Sequence, residues 1–230
     1  IDRAVLVQAA ATIAETEFLL SVAEATPFVA GVVGWVDFDS PEAGAELVRL
    51  AKNPWMKGVR PMIQDIPDPG WMLRPQLDAA FRAVIDQGLG FDALTMPWHL
   101  ENLHTLLARY PEMRVVVCHA SKPQIGERAF DEWATSMARI ATDTNAFCKL
   151  SGLVTEAGPD WSTDDLRPYV EHLLVSFGPG RLIWGSDWPV CTLAAPLAKW
   201  LATTHELLAG LAPGQRDQIL GVNATDFYRL

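Results

Sequence analysis

The sequence predicts an α/β fold of the (β/α)8 TIM-barrel type. Three observations predict it. Short apolar runs recur at intervals of roughly 25–35 residues, the length of one strand–helix–strand unit. Stretches of helical periodicity fill the intervals, and such alternation specifies a parallel sheet with helices outside it. Polar residues stand just beyond nearly every apolar run, where the functional groups of a parallel barrel converge. The runs are continuously apolar, as burial on both faces demands. No Gly-x-Gly-x-x-Gly follows the first of them, which argues against a dinucleotide-binding open sheet.

Strands are expected over Ala4–Val7, Val29–Val36, Lys57–Met62, Phe91–Thr95, Arg114–His119, Phe147–Leu150 and Arg181–Trp184. A barrel of this type has eight, so the first strand is expected to precede Ile1, where the chain opens without Met and nearly inside a strand. Helices are expected over Glu15–Ala25, with Phe18, Leu19 and Val22 on one face, and over Glu42–Ala51, after the cap Ser40-Pro41. Others follow over Arg74–Gln87, Leu100–Arg109, Gln124–Ile140, Thr163–Ser176 and Ala195–Leu208. Gly88, Tyr110-Pro111 and Gly178-Pro179-Gly180 supply stop signals. Residues 1–230 read as one domain without repeat or linker.

The net charge of −10 argues against nucleic acid or an anionic membrane as partner. No apolar stretch reaches the roughly 20 residues that cross a bilayer. Cys118, Cys148 and Cys191 are odd in number and lack Cys-x-x-Cys spacing, so a reducing cytoplasm is the expected compartment. A homo-oligomer is left open.

If the strands are parallel, their C-terminal ends bring together Gln8, Trp35 and Asp37, Arg60 with Gln64 and Asp65, His99, His119 with Lys122, Lys149 with Ser151, and Asp187. That set holds an acid, an imidazole, several cations and aromatic faces, and it suits a polar, ring-shaped ligand. Arg181-Leu182-Ile183-Trp184-Gly185-Ser186-Asp187-Trp188-Pro189 is the most informative segment. A carboxylate at the mouth of a buried strand is costly to desolvate unless something uses or pairs it. Asp187 could instead cap the following turn, and His119 could be a hydrogen-bonded core residue. Trp161 and Trp188 are further candidates for the pocket wall. His99, His104, His172 and His205 read as surface or capping residues.

Six segments together resemble the amidohydrolase-related family, and within it the fuconolactonase-like sugar lactonases. They are Gly31-Val32-Val33-Gly34-Trp35-Val36-Asp37, Gly58-Val59-Arg60-Pro61-Met62-Ile63-Gln64-Asp65, Phe91-Asp92-Ala93-Leu94, His119-Ala120-Ser121-Lys122-Pro123, Cys148-Lys149-Leu150-Ser151-Gly152-Leu153 and Trp184-Gly185-Ser186-Asp187-Trp188-Pro189. Asn223-Ala224-Thr225-Asp226-Phe227-Tyr228 also resembles that family's closing Asn-Ala-x-x-Phe-Tyr. The resemblance implies a barrel hydrolase in which His119 ends the sixth strand and Asp187 the eighth. It implies either no cofactor or one divalent metal such as zinc, held by His119, Asp187 and a His-x-His pair on the first strand. That strand has no counterpart here, and the fifth, ending near Thr95, lacks the histidine of metal-loaded relatives. Cys118 stands where the branch commonly has Asp, and Trp98 where it commonly has Arg.

The expected chemistry is hydrolysis of a sugar-acid lactone. Asp187 would take the proton from water; His119, Lys122 or Arg60 would stabilise the oxyanion. Burial between Trp184 and Trp188 would raise the acid's pKa. The sugar would stack on Trp35 or Trp161 and bond to Gln8, Gln64 and Lys149. An amidohydrolase-fold decarboxylase of an aromatic acid and a non-catalytic sugar-binding relative are the competing expectations.

Overall fold

The computed structural model describes residues 1–230. Seven strands form one parallel sheet in sequential order: β1 (Ala4–Val7), β2 (Val29–Gly34), β3 (Met56–Val59), β4 (Gly90–Ala93), β5 (Arg114–Val117), β6 (Phe147–Leu150) and β7 (Leu182–Trp184). Each strand pairs with its successor, and β1 and β7 are the sheet's two edges. The sheet is curled. Val33 of β2, Val116 of β5 and Ile183 of β7 share one small cluster with Phe227 and Tyr228. In a flat sheet β2 and β7 would lie about 24 Å apart, five spacings of roughly 4.8 Å. The concave face is filled from the C-terminal helix, and Gly90 makes room for it: a Cβ there would sit 2.9 Å from the Phe227 ring.

The expected α/β fold with a parallel sheet is present, and its seven strands form an open arc. Closure requires the edge strands to pair, and β1 and β7 do not.

Helices α1 (Ile13–Ala25), α2 (Ala43–Leu50), α3 (Asp78–Asp86), α4 (Leu100–Arg109), α5 (Asp131–Asp143), α6 (Leu153–Glu156), α7 (Thr163–Phe177), α8 (Leu197–Leu207), α9 (Pro213–Asp217) and α10 (Asn223–Tyr228) complete the chain. A core of 55 buried residues unites sheet and helices. In α4, Leu100, Leu103, Leu106 and Leu107 are buried, at the spacing of one helical face. Thr12 caps α1 by accepting the Glu15 N–H at 3.1 Å, and the Glu15 carboxylate accepts the Ala9 and Ala10 N–H groups.

The bounds differ from expectation where backbone conformation overrides periodicity. The helix expected from Gln124 begins only at Asp131, because Arg128 sits at φ 57°, outside helical space. Residues 71–77 form two tight turns ahead of α3 rather than its first coils. β2 stops at Gly34, since the Trp35 N–H turns aside to the Thr16 hydroxyl at 2.8 Å. No helix is long and apolar enough to cross a membrane, and all three cysteines are free and buried.

Candidate active site

The buried run of β5 delivers His119 to the C-terminal edge of the sheet. There the chain makes one turn of left-handed helix, with φ of 51°, 50°, 58° and 49° at His119, Ala120, Ser121 and Lys122. None of the four is glycine, and this conformation costs an L-residue roughly 1–2 kcal/mol. The Lys122 N–H closes the turn on the His119 carbonyl at 2.8 Å. Outside bonds also hold it. The Trp133 indole donates to the Ala120 carbonyl at 2.7 Å, the Ser121 and Thr95 hydroxyls meet at 2.8 Å, and His119 Nδ1 meets the Ser151 hydroxyl at 2.8 Å. Gly152, at φ 67°, leaves space for the imidazole: a Cβ there would lie 2.6 Å from His119 Nδ1.

Asp187 follows β7 at φ 53°. Its carbonyl accepts the Cys191 N–H at 2.8 Å, which fixes the turn, while its carboxylate faces the imidazole. Asp187 Oδ1 stands 3.6 Å from His119 Nε2, with the two side chains 16 % and 11 % exposed. That separation is too long for a hydrogen bond. Burial pushes the Asp187 carboxyl up to about 6, against the pull of Arg60, Lys122 and Lys149. Burial, followed by repulsion from Arg60, Lys149 and Lys122, holds His119 well below the usual histidine range. The pair at neutral pH is therefore a carboxylate facing a neutral imidazole. With the Nε2 hydrogen turned toward Asp187, the Ser151 hydroxyl donates to Nδ1.

Directly beneath lies a second charged cluster. Lys149 Nζ contacts the fully buried Asp92 carboxylate at 2.5 Å, and the Tyr228 hydroxyl of α10 donates to the same carboxylate at 2.9 and 3.0 Å. Burial alone would lower the Lys149 pKa, but the Asp92 charge holds it well above the usual lysine value. Lys149 is thus committed to Asp92, while its charge still reaches His119 and Asp187.

The remaining expected residues divide. Gln8 is fully buried; its Nε2 donates to the Arg60 carbonyl at 2.7 Å, and the Arg60 guanidinium donates to the Gln8 carbonyl. This reciprocal lock joins the ends of β1 and β3. Gln8 Oε1, Arg60 Nε and Gln64 Oε1 are buried without a hydrogen-bond partner. Gln64 Nε2 donates to Asp65 at 3.3 Å. Trp35 lines a cleft of about 280 Å³ with Phe38, Asp39, Met62, Asp65 and Trp71; Met62 also touches Gln8, so the cleft adjoins the site without containing the His119–Asp187 pair. Trp188 is 65 % exposed beside Asp187. Trp161 is buried, donates to the Ala194 carbonyl at 3.2 Å and carries Lys199 over its ring at 4.0 Å. His99 Nδ1 accepts the Met96 N–H at 3.0 Å, a capping role.

Sequence reasoning passed over Glu156. Burial raises its carboxyl, Lys122 opposes that, and its charge in turn pushes up Asp187. Its only signal was a position five residues past Ser151, after the apolar pair Leu153-Val154.

A divalent ion does not fit the residues present. No group of three or more His, Cys, Asp or Glu side chains comes together. A catalytic zinc takes three protein ligands, and His119 and Asp187 supply two. Arg60, Lys122 and Lys149 add positive charge that would repel a cation.

The sequence model of the amidohydrolase family matches residues 1–230. L-fucono-1,5-lactonase of Burkholderia ambifaria is 43 % identical over 234 residues, covering 100 % of this chain and 81 % of that protein. L-fucono-1,5-lactonase of Burkholderia multivorans is 36 % identical over 247 residues, covering 98 % and 80 %. A crystal structure of an amidohydrolase from Burkholderia multivorans with bound zinc superposes with a TM-score of 0.94 at 31 % identity, covering 100 % of this chain and 84 % of that one.

Proposed function

The chain belongs to the amidohydrolase family, and on that premise we propose that it hydrolyses a sugar-acid lactone, with Asp187 activating the water. The observation that carries the mechanism is an unpaired, half-buried carboxylate 3.6 Å from a neutral imidazole, among cations. The similar L-fucono-1,5-lactonases support the substrate class. The curled sheet is read as seven strands of a (β/α)8 wall whose active face lies at the strands' C-terminal ends.

The steps that follow use this chain's own residues. Water attacks the acyl carbon while Asp187 takes its proton. A pKa of about 6 leaves the carboxylate about nine-tenths ionised at pH 7 and makes it a better base than an ordinary Asp. The tetrahedral oxyanion is met by Lys122, Arg60 and the Nε2–H of His119; one such donor is worth about 3–4 kcal/mol. Collapse breaks the ring C–O bond, and the departing oxygen recovers the proton from Asp187. The product is an open-chain hydroxy acid, ionised at neutral pH.

Trp35 and Trp188 offer aromatic faces for the ring, and Gln64 and Arg60 offer polar contacts. Gln8 serves by locking Arg60, and Lys149 by its charge, rather than by touching the sugar. Trp161 belongs to the core. Three free, buried cysteines suit a reducing cytoplasm.

A panel of aldonolactones assayed with a pH indicator tests the reading. Acid release with at least one sugar lactone is expected. Carbon dioxide release from an aromatic acid would replace the hydrolase with a decarboxylase, and binding without turnover would leave a sugar-binding relative.

A further inference from the structure

We infer that the Trp133 indole is a positioning group for the site: it clamps His119–Lys122 in a left-handed turn that these residues disfavour. Four consecutive non-glycine residues with φ between 49° and 58° do not persist without outside support. Ties come from three separate elements. Thr95, beyond β4, meets the Ser121 side chain, and Ser151, beyond β6, meets the His119 side chain. Trp133, on α5, grips the backbone itself, donating to the Ala120 carbonyl in the middle of the turn.

The indole is a fixed anchor. It is buried and lies against Phe130, Tyr169 and His172, with ring centroids 5.8, 5.2 and 5.4 Å away. The turn in question spaces His119 and Lys122 three residues apart, so both project from nearly the same side. Lys122 accordingly acts on both His119 and Asp187. Were Ala120 to relax to negative φ, the two donors would separate and His119 would leave Asp187. Core packing alone would require only an aromatic ring at position 133; the clamp requires its N–H.

Trp133→Phe keeps a ring and removes the donor. The kinetic arm of its test rests on the hydrolase reading; the spectroscopic arm does not. The expected result is a kcat for lactone opening lowered about 10–100-fold, with KM within about twofold. In NMR, the strong intraresidue HN–Hα cross-peak that marks positive φ at Ala120 should weaken. Adding Ala120→Gly should restore most of the lost kcat, because glycine adopts positive φ without steric cost. Ala120→Gly alone should raise Tm by about 2–4 °C. Parental kcat and an unchanged cross-peak in Trp133→Phe would overturn the inference. A double variant no faster than Trp133→Phe, or a lowered Tm for Ala120→Gly, would do the same. Should Trp133→Phe not fold, the Ala120→Gly melting temperature decides; should no lactone be turned over, the cross-peak decides.

Discussion

Two carboxylates lie among the same cations and are treated in opposite ways. Asp92 is fully buried, pressed against Lys149 at 2.5 Å and capped by the Tyr228 hydroxyl. Asp187, nearer the surface, has no donor within hydrogen-bond range and faces a neutral imidazole at 3.6 Å. The paired acid stabilises: it ties β4 to β6 and anchors α10 in the concave face. The unpaired acid is left with basicity to spend. The comparison teaches that the charge near Asp187 is arranged not to neutralise it. Lys149 is taken by Asp92, and Arg60 is locked against Gln8.

The largest expected stability effect comes from breaking the closed pair. Lys149→Met leaves Asp92 buried without its cation and should cost about 3–5 kcal/mol by denaturant unfolding. A loss below about 1 kcal/mol would mean that the Tyr228 hydroxyl satisfies Asp92 by itself.

Next in size is the pH dependence of the open acid. The folded pKa of Asp187, about 6, lies above its ordinary 3.8, so folding favours the protonated form. That stabilisation is complete below about pH 3.8, shrinks as pH rises, and is gone above about pH 6. It amounts to about 3 kcal/mol. Asp187→Asn should therefore match the parent's unfolding free energy near pH 3.5 and exceed it near pH 8. Parallel curves for the two proteins would contradict the unpaired state.

Tyr228→Phe should cost about 1.5–3 kcal/mol, the range for a hydrogen bond to a charged group. No change would place the hydroxyl bond to Asp92 among the dispensable ones. The smallest effect is a null one: dialysis against a chelator should leave lactone hydrolysis unchanged, because the site offers two donors amid cations. A rate lost on chelation and restored by zinc would require ligands beyond His119 and Asp187.

The sheet was largely legible in the chain. Phe147–Leu150 and Ala4–Val7 emerge with the bounds their apolar runs suggest, because a strand buried on both faces announces itself locally. His119 and Asp187 were legible as polar residues ending such runs. What was hidden depends on distance or on backbone handedness. Lys149 finds Asp92 57 residues away and Tyr228 finds it 136 away, separations that no local pattern encodes. The left-handed turn at 119–122 contains no glycine to advertise it, and its clamp, Trp133, reads as an ordinary apolar helix residue. Trp161 carried the same aromatic signal as Trp35, yet α8 covers it with Lys199.

The most direct measurement is the rate of lactone hydrolysis by Asp187→Asn, with folding verified by circular dichroism. A folded variant slower by about 10²–10⁴-fold is the expected result. A folded variant with the parent's rate would contradict the assignment of Asp187 as the base.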